Sequence, residues 1–108
     1  MADAIPPGTL DLMILKTLAR GRELHGFEIA AAIGQLSNDV FFVEEGSLYP
    51  ALQRMRIKGW VTVDWGRTAE GRHARYYRVT RAGRRRLQAE LERFERVTNA
   101  VARVIHAT

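Results

Sequence analysis

Apolar positions along this chain fall into four stretches of helical spacing and two stretches of β-type alternation. Between Thr9 and about Arg20, Leu10, Leu12, Met13, Ile14, Leu15 and Leu18 leave almost no polar side. Gly8-Thr9 opens this helix, with Thr9 as the expected cap. A helix apolar all round needs burial on more than one side, which in so short a chain points to a second chain covering it. Gly21 to Gly26 reads as a turn. Phe27 to Gln35 forms a second helix with Ile29, Ala30 and Ile33 inward, and its alanines let another helix approach closely. Ser37-Asn38-Asp39 is a turn signal. The apolar Phe41 to Val43 beyond it fits either an extended segment or a loop pinned to the core. Met1 to Pro7 reads as a loose leader.

The stretch Glu44 to Trp60 predicts a third helix with signals at both ends. Ser47 suits the N-cap, which puts Pro50 in the first turn, where a missing N–H costs nothing. Gly59 suits the left-handed position just past the end. At 100° per residue, Leu48, Ala51, Leu52 and Met55 form one narrow apolar face. Tyr49, Pro50, Gln53, Arg54 and Ile57 point away from it.

After Gly59, Trp60 to Trp65 and Ala74 to Thr80 alternate and are rich in β-formers. Val61, Val63, Tyr77 and Val79 are the inward set, and Arg75 shares their face at the open end. Gly66 to His73 is the polar tip of this hairpin. Thr80 then caps a long last helix in which Leu87, Leu91, Phe94, Thr98, Val101 and Ile105 recur at steps of four and three. That heptad seam has nothing left in the domain to pack on and reads as a dimerisation arm. The fold class is therefore mainly α with a two-stranded β-hairpin: a winged helix-turn-helix over residues 8–80 and a coiled-coil-like helix over 81–108.

Charge sharpens the picture. The net charge of +5 conceals three Lys/Arg against seven Asp/Glu in residues 1–45, and eleven against two in residues 46–86. The excess of positive charge is confined to the third helix, the hairpin and the start of the last helix, which suits a polyanion. No cysteine is present, so a disulfide framework and thiolate chemistry are excluded, and a cytoplasmic setting is expected. No run is long and apolar enough to span a membrane, and no basic, apolar leader of signal-peptide type opens the chain.

The three histidines are scattered and no metal-ligand or nucleophile–base spacing occurs, so neither enzyme, metal site nor cofactor is expected. Duplex DNA suits the parts better. A major groove about 12 Å wide takes one helix. Gln53 matches an adenine edge and Arg54 a guanine edge, while Ser47, Pro50 and Lys58 share the exposed side of the helix. Arg67, Arg72 and His73 in the wing would lie along phosphate or the minor groove and neutralise charge.

Four blocks of residues carry a resemblance. Leu24-His25-Gly26-Phe27-Glu28-Ile29, Glu45-Gly46-Ser47-Leu48-Tyr49-Pro50-Ala51-Leu52, Lys58-Gly59-Trp60 and Arg75-Tyr76-Tyr77-Arg78-Val79-Thr80-Arg81-Ala82-Gly83 together resemble the PadR-type transcriptional regulators. The likeness runs from about Leu10 to Leu87. It implies a homodimeric repressor on an inverted-repeat operator, with Tyr49 on DNA. It also implies dimerisation through the single helix after the wing (Leu87, Leu91, Phe94, Thr98, Val101, Ile105) together with the first helix (Leu10, Met13, Ile14). Glu45 stands where many members have proline, and Ile57 where a polar residue is usual. A small hydrophobic or aromatic effector near Met13 and Phe94 is a further implication. Two other classes stay open: a winged-helix protein-interaction module, and a small-molecule sensor without intrinsic DNA specificity.

Overall fold

A computed structural model describes residues 3–108; Met1 and Ala2 lie outside the described residues. The elements are α1 (Leu10–Ala19), β1 (Leu24–His25), α2 (Gly26–Leu36), α3 (Glu45–Ile57), β2 (Val61–Arg67), β3 (His73–Val79) and α4 (Arg81–Ile105). The strands form one antiparallel sheet in the order β1-β3-β2. The expected hairpin is present, and a third strand joins its edge where a simple turn was expected. Leu24 pairs with Tyr77 and His25 with Tyr76. Two residues are too few to show alternation; partnership with β3 makes them a strand.

The core sits where α1, α2 and α3 meet the inner face of the sheet. Ile14, Leu15, Leu18, Ile29, Leu48, Leu52, Met55 and Val61 are fully buried there. Each such side chain contributes about 1.5–3 kcal/mol relative to exposure. Ile14 and Leu87 belong to this core. They therefore support the fold from inside and do not offer a surface to a second chain, a correction to the expected dimerisation set. Leu10 and Met13 remain only partly buried beside them.

Caps explain where helices begin, and two differ from expectation. The residue before α1 is Thr9, but its hydroxyl turns back and donates to the Pro6 carbonyl at 2.7 Å, leaving no side-chain cap. The cap of α3 is Glu44, not Ser47, because Glu44 is extended and its carbonyl accepts from the Ser47 and Leu48 N–H groups. Starting earlier puts Pro50 inside the helix, where it removes the N–H that would bond the Gly46 carbonyl. At α2, His25 is the cap: its Nδ1 accepts from the Glu28 N–H, and Glu28 accepts from the His25 N–H at 3.1 Å. This is a capping box with histidine in place of serine.

The leader is tied down from Asp3 onward, contrary to expectation. Asp3 bridges to Phe41 in parallel register, its N–H donating to the Val40 carbonyl at 2.7 Å. That bridge also makes the residues around Phe41 locally extended, while Val43 is buried in the core.

The end of α3 is welded to the start of α4. Gly59 takes φ +77°, with its N–H on the Arg56 carbonyl and the Trp60 N–H on the Met55 carbonyl, a Schellman pair. Thr80 caps α4 by accepting from the Gly83 N–H at 3.0 Å, and its hydroxyl donates to the Gly59 carbonyl at 2.6 Å. A methyl group on Gly83 would overlap the Trp60 carbonyl oxygen, so only glycine fits. The Trp60 ring lies between Lys58 and Arg86, at 4.8 and 4.9 Å from its centre.

Candidate nucleic-acid interface

Helix α3 buries Leu48, Ala51, Leu52 and Met55 and exposes the rest. Its outermost stripe is Gly46, Pro50, Gln53, Arg54 and Ile57, and Ile57 is 76% exposed at its end. The stripe carries one amide and one guanidinium among small and apolar groups. An amide can pair bidentately with adenine, and an aliphatic group can meet a thymine methyl.

Arg54 is not free. Its guanidinium lies 3.2 Å from the Asp11 carboxylate in the first turn of α1. A pair that reaches solvent on both sides is worth about 0–1 kcal/mol, so a nucleic-acid partner can displace it. Lys58 is engaged over the Trp60 ring. Ser47, within the first turn of α3, is exposed.

The wing is shorter at its tip than expected. Gly66, Arg67 and His73 lie in paired strands, with Arg67 opposite His73, and only Thr68 to Arg72 form the turn. The turn closes through Thr68 N–H to the Arg72 carbonyl at 2.8 Å and Gly71 N–H to the Thr68 carbonyl at 2.9 Å. Arg67 donates to the Gly71 carbonyl at 3.0 Å, so it helps fasten the tip. Arg72 and His73 are exposed. Of the four arginines in the first six residues of α4, Arg84 donates to the Ala19 carbonyl at the end of α1 and Arg86 pairs with Glu90 at 2.6 Å.

Between the wing and the starts of α2 and α3 lies a cleft of about 530 Å³. Tyr49, Arg72 and His73 share it with Phe27, Trp65 and Arg75, three residues that their sequence context does not assign to the site. Phe27 is 77% exposed. The Arg75 guanidinium lies over the Trp65 ring at 5.3 Å. The alternation that puts Trp65 and Arg75 on the inward face is the available signal; beyond the body of the domain, that face looks into the cleft. Partial burial, with Glu45 and Tyr77 nearby, raises the Tyr49 hydroxyl above its usual pKa of 10.0. The phenol is protonated at neutral pH and can donate a hydrogen bond. No group of three potential metal ligands exists among the described residues.

Residues 14–89 match the Transcriptional regulator PadR-like family. The chain belongs to that family. Its members are regulators of transcription, not enzymes. The chain is 35% identical over 83 residues to Transcriptional regulator Rv3488 of Mycobacterium tuberculosis, covering 77% of this chain and 74% of that one. A crystal structure of a PadR-like transcriptional regulator from Bacillus cereus superposes with a TM-score of 0.79 at 25% identity, covering 94% and 95% of the two chains. A transcriptional regulator from Clostridium thermocellum gives 0.80 at 25%, covering 89% and 92%.

Two further surfaces of this PadR-like protein are exposed and apolar. Along α4, Phe94, Val97, Val101, Val104 and Ile105 form a stripe, and Val104 is 77% exposed. Val97 and Val104 widen the heptad seam to one side. A second, apolar cleft of about 390 Å³ is lined by Leu12, Met13, Ile33, Phe41, Leu91 and Phe94, so Met13 and Phe94 do share a pocket.

Proposed function

We propose that this PadR-like regulator is a homodimeric, cytoplasmic repressor that reads an inverted-repeat operator. In this reading Gln53 and Arg54 meet base edges in the major groove, with Ser47 and Pro50 alongside. Tyr49, Lys58, Arg67, Arg72 and His73 hold the backbone. One observation carries the reading: α3 buries an entire face in the core and turns Gln53 and Arg54 outward, flanked by a basic wing. The unpartnered stripe of α4 supports a dimer formed through Leu91, Phe94, Thr98, Val101 and Ile105, with Leu10 and Met13 of α1 at its margin. On this reading residues 8–80 act as the DNA-binding part and 81–108 as the arm. The cleft between α1, α2 and α4 would take a small apolar effector once a second copy closes it.

Fluorescence anisotropy of a labelled duplex from the gene's own promoter, over a salt series and beside a scrambled duplex, tests this reading. Binding to the promoter tighter by about 10³-fold or more, and lost on Gln53→Ala with Arg54→Ala, is the expected result. Equal and steeply salt-dependent binding to both duplexes would leave only a basic surface. No binding from a folded dimer would favour the interaction module instead. That alternative draws on the groove lined by Phe27, Phe41 and Phe42 and rimmed by Asp39, Glu44 and Glu45.

A further inference from the structure

Gly26 opens α2 and is buried. Its backbone does not require glycine, since it is absent from the residues with positive φ. What occupies the space of a side chain there is a neighbour. A methyl group at position 26 would stand 2.6 Å from the Tyr49 hydroxyl oxygen and 2.9 Å from Cε1 and Cζ of the ring. The ring of Tyr49 therefore lies directly against the first turn of α2, in space that any side chain would fill.

Gly66 offers an instructive contrast. There a Cβ would stand 2.8 Å from the Tyr76 ring, but Tyr76 uses its hydroxyl at home, donating to the Arg67 carbonyl at 3.0 Å. No such bond engages the Tyr49 hydroxyl among the described residues. That hydroxyl borders the cleft lined also by Thr68, Arg72, His73 and Arg75. A hydroxyl donor on a cleft that Arg72 and Arg75 also line is suited to one anionic oxygen, and a phosphodiester running between a major-groove helix and a wing supplies it.

We propose that Gly26 is a positioning residue: by lacking a side chain it seats the Tyr49 ring on α2, at the depth where the hydroxyl meets a backbone phosphate in the wing cleft. This rests on the DNA-binding reading above. A phosphate contact carries no sequence information, so the effect of losing it falls equally on all duplexes.

The experiment measures anisotropy of the promoter and scrambled duplexes with the full chain carrying G26A, Y49A, Y49F or G26A/Y49A. Expected is a weakening on the order of 10-fold for G26A and for Y49A, as for loss of one hydrogen bond to a charged group. The ratio between the two duplexes stays unchanged, and the double variant is no weaker than Y49A alone. Y49F, which keeps the ring and loses the donor, matches Y49A. In the free protein, NOEs join the Gly26 Hα protons to the Tyr49 ring, and G26A weakens the ring's NOEs to this turn. Should G26A fail to fold, the double variant removes the ring that the methyl meets; it must then refold and bind as Y49A does.

Wild-type affinity for G26A beside a weakened Y49A overturns the proposal and leaves DNA binding standing. So does a G26A loss that adds fully to that of Y49A, or one that changes the ratio between duplexes. Wild-type affinity for Y49A removes the tyrosine contact and the role of Gly26 with it. If the unaltered protein binds neither duplex, the DNA-binding reading itself fails.

Discussion

Helices α3 and α4 are both amphipathic, and they use their two faces in opposite ways. Helix α3 buries its apolar face completely within the chain and leaves polar groups outward. Helix α4 does this only through Gly83 and Leu87, and from Phe94 onward its apolar stripe meets solvent. Periodicity identifies an apolar face; it does not say whose atoms cover it. On the proposed function the working surface of α3 is its polar side, whereas that of α4 is its apolar side. The joint of Gly59, Trp60, Thr80 and Gly83 fastens one helix to the other, so the direction of α4 fixes the direction of α3.

The sharpest way to break this contrast is to charge the arm. Val101→Asp places an unpaired carboxylate at the proposed interface of each copy, a penalty on the order of 3–5 kcal/mol per buried charge. Sedimentation velocity is expected to give a monomer with unchanged far-ultraviolet circular dichroism. The same substitution would unfold a helix buried in its own chain. Leu52→Ala, on the buried face of α3, is expected to cost about 2–5 kcal/mol in urea denaturation.

Gln53→Ala acts on the other side of the same helix. Stability should move by less than about 0.5 kcal/mol, since the site is exposed. Promoter affinity should fall by about 1–3 kcal/mol, and discrimination with it. Thr80→Ala removes a cap and the bond to Gly59, with an expected loss of about 1 kcal/mol in thermal or urea melts. The smallest effect belongs to Asp11→Asn. Freeing Arg54 from an exposed pair should change DNA affinity by no more than about 1 kcal/mol, upward, and most on the promoter, where Arg54 must leave Asp11 for a base edge.

Much of the architecture was legible because it is local. The face of Leu48, Ala51, Leu52 and Met55, the left-handed Gly59, the hairpin and the Thr80 cap each depend on residues a few positions apart. What escaped reading depends on distant partners. β1 exists because Leu24 and His25 meet Tyr77 and Tyr76 in a remote part of the chain. The helix start at Glu44 depended on backbone angles that residue type left open, so the serine three positions later misled. Ile14 and Leu87 fit a seam by spacing but are enclosed by their own chain. Of the candidate interface, the exposed side of α3 was visible in the periodicity. The Asp11–Arg54 pair and the seat of Tyr49 on Gly26 were not, since each joins elements remote in sequence.

In the proposed dimer two copies, held by α4, present two α3 helices to one face of a duplex. Hydroxyl-radical footprinting of the protein on its own promoter tests it most directly. Expected are two equivalent protected half-sites, centred about 10 bp or a multiple of that apart, with both footprints lost together in Val101→Asp. A single protected site that survives in the monomeric variant, or protection without any fixed spacing, would contradict it.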